Sequence, residues 1–127
     1  MQADYVLDAS ALLAWLHNEH GGERVEGILE LAALSAVNLS EVLQKGLQAG
    51  ADVSGFEEDL EALGVEIRVF GAADAELAAA LWPATRRLGL SLADRACLAT
   101  AKRLKVPAVT ADREWEKVEG VQVEVIR

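Results

Sequence analysis

Cysteine is nearly absent from the sequence, since Cys97 is the only one among 127 residues. A fold held together by disulfide bonds within the chain is therefore excluded. Cys97 lies among Ala96, Leu98 and Ala99, and we expect it to be a small core residue rather than a reactive thiol. One unpaired cysteine is consistent with a reducing compartment, and we expect a cytoplasmic protein.

Long hydrophobic runs are also missing. Although 52% of the residues are apolar, no window of about eighteen apolar residues exists, so a membrane-spanning helix is excluded. The N-terminus lacks a basic start and a separate apolar stretch, and we expect no signal peptide. Aromatic residues make up only 5% of the chain, which predicts a core of Leu, Val and Ala. The length predicts one domain, residues 1–127.

Positive charge is scarce in the first half of the chain. The net charge of −9 argues against a simple electrostatic nucleic-acid binder. Residues 1–67 have two basic against thirteen acidic residues (−11), whereas residues 68–127 have ten against eight (+2). Six of the later basic residues fall within twenty positions: Arg86, Arg87, Arg95, Lys102, Arg103 and Lys105. They form either a solvated helix face or a surface that contacts phosphates, and charge alone does not decide between these.

Candidate strands alternate with candidate helices, which predicts a parallel α/β sandwich. The predicted strands are residues 5–7, 34–37, 65–70, 108–110 and 121–126. The predicted helices are residues 10–17, 24–31, 38–49, 53–63, 72–87, 91–104 and 112–117. Pro83 should kink or divide the helix 72–87. The helix 10–17, with Ser10 as its N-cap, is apolar nearly all round and must be buried on two sides or covered by a partner.

Four acids lie at strand ends or helix starts in this scheme: Asp8, Glu41, Asp94 and Asp112. Three of them have a structural alternative. The pairs Asn38–Glu41 and Ser91–Asp94 have the spacing of a capping box, and Asp112 can cap the helix that follows it. Asp8 has the weakest alternative role, because it lies between a strand and the predicted cap.

The joint placement of the four acids favours a shared site. Every strand-to-helix junction of a parallel sheet opens on the same edge, so these side chains can converge there. Carboxylates in such proximity raise one another's pKa unless a cation neutralises them. An all-oxygen site suits Mg²⁺ or Mn²⁺, and such ions act on phosphate esters with bound water as the nucleophile. Ser10, Asn38 and Thr110 can orient the carboxylates or hold a metal-bound water, although each also has a capping or strand role and capping is favoured for Ser10.

No other catalytic apparatus competes with the acids. The sequence has no glycine-rich phosphate loop and no serine in a nucleophile elbow. We expect His17 and His20 at the surface. Trp15, Trp82 and Trp115 are expected in the core or at interfaces rather than as base-stacking platforms, because none lies in a basic loop.

Four segments resemble the motifs of PIN-domain ribonucleases, specifically the VapC-type toxins of bacterial and archaeal toxin–antitoxin pairs. Residues 6–14 (VLDASALLA) are similar to the first motif and residues 35–42 (SAVNLSEV) to the second. Residues 90–99 (LSLADRACLA) are similar to the third and residues 109–115 (VTADREW) to the fourth. One departure is Ala93, where the family often has glycine. Four motifs in order, over nearly the whole chain, make the resemblance specific.

The resemblance implies a PIN-like three-layer α/β/α sandwich with a five-stranded parallel sheet in the order 3-2-1-4-5. It implies Mg²⁺- or Mn²⁺-dependent hydrolysis of RNA phosphodiester bonds that leaves a 5′-phosphate and a 3′-hydroxyl. It also implies a homodimer that is neutralised by a small VapB-type antitoxin.

Roles for individual residues follow from the same resemblance. Asp8, Asp94 and Asp112 would hold metal directly or through water, and Glu41 would position a second metal or the attacking water. The RNA-contact candidates in the basic cluster are Arg86, Arg87 and Arg95. The helix 10–17 would help to form a groove for the antitoxin.

Three other functions compete with this one. A phosphorelay receiver domain needs two adjacent acids after the first strand and a phosphoacceptor Asp after the third. Asp8 stands alone, and the strand that ends at Phe70 leads into Gly71, so the sequence excludes that function. A binding protein with a degenerate site is disfavoured by the presence of all four acids. A housekeeping RNA-processing nuclease with a PIN fold and no antitoxin stays open.

Overall fold

The structure is a computed structural model that describes residues 2–127. Its sheet contains five parallel strands in the predicted order β3-β2-β1-β4-β5. The strands are β1 (Tyr5–Leu7), β2 (Ala32–Ser35), β3 (Glu66–Arg68), β4 (Ala108–Thr110) and β5 (Val123–Val125).

Helices connect the strands on both sides of the sheet. They are α1 (Ala9–Leu16), α2 (Gly22–Glu26), α3 (Ala36–Gln48), α4 (Phe56–Ala62), α5 (Ala72–Ala80), α6 (Trp82–Thr85) and α7 (Leu92–Leu104). Short 3-10 turns cover Leu29–Leu31, Arg86–Leu88 and Arg113–Lys117. Within residues 2–127, none of the helices combines the length and the apolar character that a membrane span requires.

Neighbouring residues of the central strands enter two different cores. Leu7 of β1 and Leu34 of β2 pack with Leu12 of α1 on one face of the sheet. Val6 of β1 packs with Leu98 of α7 in the other core. Side chains alternate between the faces along a strand, so β1 is buried on both sides. The three-layer α/β/α arrangement is therefore confirmed.

The start of α1 differs from the prediction. The helix begins at Ala9, so Ser10 lies inside its first turn and is not the N-cap. The N-cap is Asp8, whose side chain makes no capping hydrogen bond. The predicted capping role of Ser10 is wrong, because its hydroxyl has partners outside the helix.

The second strand and the helix after it also begin earlier than predicted. Strand β2 covers Ala32–Ser35 rather than residues 34–37, and α3 begins at Ala36. The Ser35 hydroxyl accepts a hydrogen bond from the backbone N of Val37 at 3.2 Å and caps the helix. The capping box predicted for Asn38 and Glu41 is therefore wrong, since Ser35 provides the cap and Glu41 lies in the second turn.

Several other helices and strands are shorter than predicted. The predicted helix 24–31 is divided into α2 and a 3-10 turn, with Gly27 closing α2. The predicted helix 53–63 and the strands 65–70 and 121–126 are shortened to α4, β3 and β5. The division near Pro83 is confirmed, because α5 ends at Ala80 and the proline lies in the first turn of α6. Backbone N–H groups in a first turn make no intrahelical hydrogen bond, so the lack of one in proline costs nothing there.

Helices α1 and α2 approach closely at Gly22, which yields a test of the fold. A Cβ at this position would lie 2.6 Å from the backbone oxygen of Ala14, which cannot turn aside as a flexible side chain can. We expect Gly22→Ala to lower the free energy of unfolding by about 1–3 kcal/mol, the usual cost of overpacking.

Gly27→Ala is the matched control, because the nearest atom to its new Cβ lies 3.6 Å away. This change should be neutral or slightly stabilising. Both variants can be compared by urea unfolding, and equal stability of the two would contradict the close packing of α1 on α2.

Candidate active site

Asp8 lies directly after β1, at the carboxyl edge of the sheet, and only 4% of its surface is exposed. Its Oδ2 accepts hydrogen bonds from the hydroxyls of Ser10 at 2.6 Å and Thr110 at 3.0 Å. The Ser10 hydroxyl in turn accepts from the backbone N of Ala111 at 2.9 Å, and the Thr110 hydroxyl from that of Asp112 at 3.1 Å. Each hydroxyl therefore receives a backbone N–H and donates its own hydrogen to Asp8, which fixes the orientation of the carboxylate.

The electrostatic environment of Asp8 is unfavourable to its negative charge. Burial raises the pKa of Asp8 from the ordinary 3.8 to about 6, and the hydrogen bond from Ser10 opposes this rise. The negative charges of Asp94 and Glu41 raise the pKa of Asp8 further, so both acids lie near enough to act on its charge. These three acids come from the end of β1, from α3 and from α7.

Asn38 connects α3 with α7 beside Glu41. This side chain is fully buried, and its Nδ2 donates to Glu41 Oε1 at 2.9 Å and to the backbone oxygen of Ala93 at 3.0 Å. Its Oδ1 is buried and has no hydrogen-bond partner within residues 2–127. Because Ala93 directly precedes Asp94, Asn38 holds two acid-bearing helices in a fixed relation.

Asp94 and Asp112 have the capping roles that the sequence predicts. Asp94 Oδ2 accepts from the backbone N of Ser91 at 2.9 Å, and the Ser91 hydroxyl accepts from the backbone N of Asp94 at 3.1 Å. Asp112 Oδ1 accepts from the backbone N of Glu114 at 2.9 Å and caps the following turn. Each cap engages one carboxylate oxygen and fixes the direction of the other, so capping does not prevent a second role.

The donor chemistry of this edge suits a hard divalent cation. All donors are carboxylate or hydroxyl oxygens, and a positive ion would relieve the repulsion around Asp8. Within residues 2–127, however, no three Asp, Glu, His or Cys side chains converge closely enough to bind one ion together. Mg²⁺ tolerates this arrangement, because it keeps several water molecules and takes only one or two carboxylates. The donors therefore fit an ion that is held by two carboxylates and water.

The three candidate RNA-contact arginines differ in exposure. Arg86 and Arg87 are exposed, and the guanidinium of Arg86 lies 5.4 Å from the ring centre of Trp82. Arg95 is half-buried, its Nη1 donates to the backbone oxygen of Ala78 at 3.1 Å, and its Nε is buried without a partner in the described residues. Arg95 is thus engaged in the packing of α7 against α5.

Sequence reasoning missed the pairing of Trp82 with Arg86. Trp82 is 49% exposed rather than in the core, whereas Trp115 is fully buried and Trp15 half-buried. The signal was available, because an arginine four positions after a tryptophan on a helical segment can stack on its ring. The surface position predicted for His17 and His20 is confirmed, and so is the buried position of Cys97.

The family model of the PIN domain matches residues 5–121, which is most of the chain. The chain belongs to the PIN domain family. Members of this family are nucleases, so the edge that carries Asp8 is the candidate active site of a PIN domain. None of the curated proteins matches the chain in sequence.

Several solved structures share this PIN fold. DNA-bound VapBC from Salmonella typhimurium superposes with a TM-score of 0.75 at 18% identity, and the match covers 100% of both chains. A toxin–antitoxin complex from Klebsiella pneumoniae gives 0.73 at 19% identity and covers 97% of this chain and 98% of the other. FitAcB from Neisseria gonorrhoeae gives 0.66 at 22% identity, with 96% and 97% covered. At these identities the similarity establishes the fold.

The raised pKa of Asp8 leads to a test by pH. The folded protein binds the Asp8 proton more tightly than the unfolded chain, so ionisation of Asp8 opposes folding above about pH 6 and this effect disappears toward about pH 4. The shift from 3.8 to about 6 corresponds to roughly 3 kcal/mol. With divalent cations removed by a chelator, we expect Asp8→Asn to be more stable than the parent at about pH 8. The difference in the free energy of unfolding should shrink as the pH falls.

Asn at position 8 can still accept the bonds from Ser10 and Thr110, so the comparison isolates the charge. Asp52→Asn is the control, because the backbone hydrogen bond from Ser54 lowers the pKa of Asp52. Removal of this negative charge should therefore not increase the free energy of unfolding. The measurement is the free energy of unfolding as a function of pH. A stability difference between parent and Asp8→Asn that does not vary with pH would contradict the raised pKa.

Proposed function

We propose that this PIN domain is a metal-dependent ribonuclease of the VapC type, the toxin partner of a small VapB-type antitoxin. The observation that carries the proposal is the state of Asp8. It is a buried carboxylate at the carboxyl edge of the sheet, aligned by Ser10 and Thr110, and the negative charges of Asp94 and Glu41 raise its pKa. Such a cluster disfavours folding unless a cation joins it, which supports a role in binding metal and phosphate.

The metal would be held chiefly by Asp8 and Asp94, with Asp112 contributing through water. A divalent ion, when bound, supplies positive charge that lowers the pKa of water and offsets negative charge on the phosphodiester in the transition state. Ser10 and Thr110 keep the Asp8 carboxylate in one orientation.

Glu41 is the residue that would receive a proton from the attacking water. Its Oε1 accepts from Asn38, so Oε2 is left for this water. The water oxygen then forms a bond to phosphorus while the bond from phosphorus to the 3′ oxygen breaks, and the 3′ oxygen takes a proton from solvent, which leaves a 5′-phosphate and a 3′-hydroxyl. Asn38 contributes by holding Glu41 against the helix that carries Asp94.

Contacts with RNA would come from the exposed basic segment after α5. Arg86 and Arg87 are free of ion pairs with acids in the described residues, and Trp82 offers an aromatic face beside them. Local positive charge is needed because the chain as a whole carries −9. Arg95 would act mainly by packing between α7 and α5, with part of its guanidinium left for RNA.

The first helix forms one wall of an apolar groove that suits the antitoxin. We call it the α1 groove; it has a volume of about 270 Å³ and is lined by Leu13, Leu16, Leu43, Val53 and Phe56, among others. Its wall includes the helix that the sequence marks as apolar nearly all round. An apolar segment of a VapB-type antitoxin would cover it, as the similar structures were solved in complexes named toxin–antitoxin or VapBC. The homodimer that the family resemblance implies stays a prediction.

The nuclease can be tested with the purified protein. We expect cleavage of single-stranded RNA in Mg²⁺ or Mn²⁺, with 5′-phosphate ends, and a fall of at least about 100-fold in Asp8→Asn, because loss of groups that merely orient a metal ligand already costs 10- to 100-fold. Mg²⁺ should also raise the Tm of the parent but not of Asp8→Asn. The control is Asp4→Asn, an exposed acid at the opposite end of β1. Equal cleavage and equal Tm shifts in parent and Asp8→Asn would contradict the proposal.

The antitoxin is tested with the small protein encoded immediately upstream of this gene. We expect Leu16→Arg to abolish its co-purification, because a charge would replace apolar surface in the α1 groove. Leu31→Arg is the matched control: Leu16 is 39% and Leu31 40% exposed, but Leu31 lies outside that groove. Both variants should still cleave RNA. Co-purification of the upstream protein with Leu16→Arg as with the parent would contradict the α1 groove as its binding site. Co-purification with neither the parent nor the control would favour the housekeeping nuclease.

A further inference from the structure

A second groove lies beside Glu41, on the side of β3, and we call it the Glu41 groove. One face of α3 forms one wall and includes Ala36, Ser40, Glu41 and Gln44. The residues after β3, Val69 and Phe70, form the other wall. Its volume is about 610 Å³, within the range of sites that hold small molecules. The groove is continuous with the candidate active site, because Glu41 belongs to both.

The charge of the Glu41 groove selects against phosphate. Among the residues that line it, Glu41 alone is charged, and it is negative. A phosphate group in the groove would be repelled, whereas a neutral nucleobase would not. The part of an RNA strand that fits here is therefore the base, while its phosphates lie toward the metal site and the arginines.

The walls of the groove also suit a base. Phe70 is half-buried, and its neighbour Val69 is 87% exposed, the highest exposure of any large hydrophobic side chain in the described part of the chain. An aromatic ring and an apolar wall can stack on the faces of a base. Ser40 and Gln44 are exposed on the α3 wall, and a hydroxyl and an amide can hydrogen-bond to its edge.

We propose that the Glu41 groove binds one unpaired nucleobase of the RNA substrate, next to the bond that is cleaved. The inference rests on the proposed ribonuclease activity and adds to it a subsite for one base, with a preference between bases that Gln44 sets. A base must be unpaired to present both a face and an edge to the protein. Continuity with the active site favours RNA over a protein partner as the occupant.

Binding can be measured without cleavage in the Asp8→Asn background, by fluorescence anisotropy with labelled single-stranded RNA octamers of A, C or U. Phe70→Leu keeps an apolar side chain but loses the ring, and should weaken binding of the preferred octamer by about 5- to 100-fold. Phe70→Tyr should retain the affinity. Val69→Ser, at an exposed position where folding is not at risk, should also weaken binding. Gln44→Ala should reduce the difference among the three octamers.

Matched controls come from the same chain. Phe56→Leu changes a half-buried phenylalanine in the α1 groove, and Gln48→Ala changes a glutamine one turn beyond Gln44 on α3. Neither should affect RNA binding. The inference is overturned if the three groove variants (Phe70→Leu, Val69→Ser and Gln44→Ala) bind all octamers as the controls do. The proposed function still stands in that case if the parent protein, which keeps Asp8, cleaves RNA.

Two other outcomes distinguish the remaining possibilities. If Phe70→Leu leaves RNA binding unchanged but abolishes co-purification of the upstream protein, the groove is a protein contact and the inference is wrong. If the parent cleaves no RNA and the Asp8→Asn protein binds none, the inference and the proposed function fail together.

Discussion

The structure depends on one unfavourable charge, the Asp8 carboxylate buried at the carboxyl edge of the sheet. Hydrogen bonds from two hydroxyls stabilise it only in part, because burial and the charges of Asp94 and Glu41 still raise its pKa. The backbone N–H groups after β4 polarise those hydroxyls and leave the carboxylate one orientation. A fold that kept this cluster for stability alone would be better served by neutral side chains, since removing a buried like-charge contact is favourable.

Local signals in the sequence predicted part of this arrangement. The alternation of strands and helices and the four motifs led to the observed sheet order, and the caps formed by Asp94 and Asp112 were found because capping depends on spacing within one turn. The capping roles predicted for Ser10 and Asn38 are wrong, whereas the predicted role of orienting carboxylates agrees with their hydrogen bonds to Asp8 and Glu41. Their other partners, Ala111 and Ala93, lie 101 and 55 positions away, and no local pattern reveals them. Ser35, three positions before Asn38, caps α3, so the helix begins at Ala36 rather than at the predicted residue 38.

Helix α3 lies between the two proposed recognition surfaces. Ser40, Glu41 and Gln44 face the Glu41 groove, whereas Leu43 and Gly46 face the α1 groove. Asn38, on the same helix, holds Glu41 and reaches α7. Helix α3 therefore borders the groove proposed for RNA, the groove proposed for the antitoxin and the candidate active site.

The bond from Thr110 to Asp8 spans 102 positions of the chain. During synthesis the ribosome therefore releases Asp8 and the first motif long before it adds the residues that orient this carboxylate. A chain that stops before β4 lacks the hydroxyl of Thr110, the N–H of Ala111 and the acid of Asp112. The edge of the sheet cannot be completed until residues 110–112 have been translated, so translation that is interrupted before them yields fragments without an assembled site.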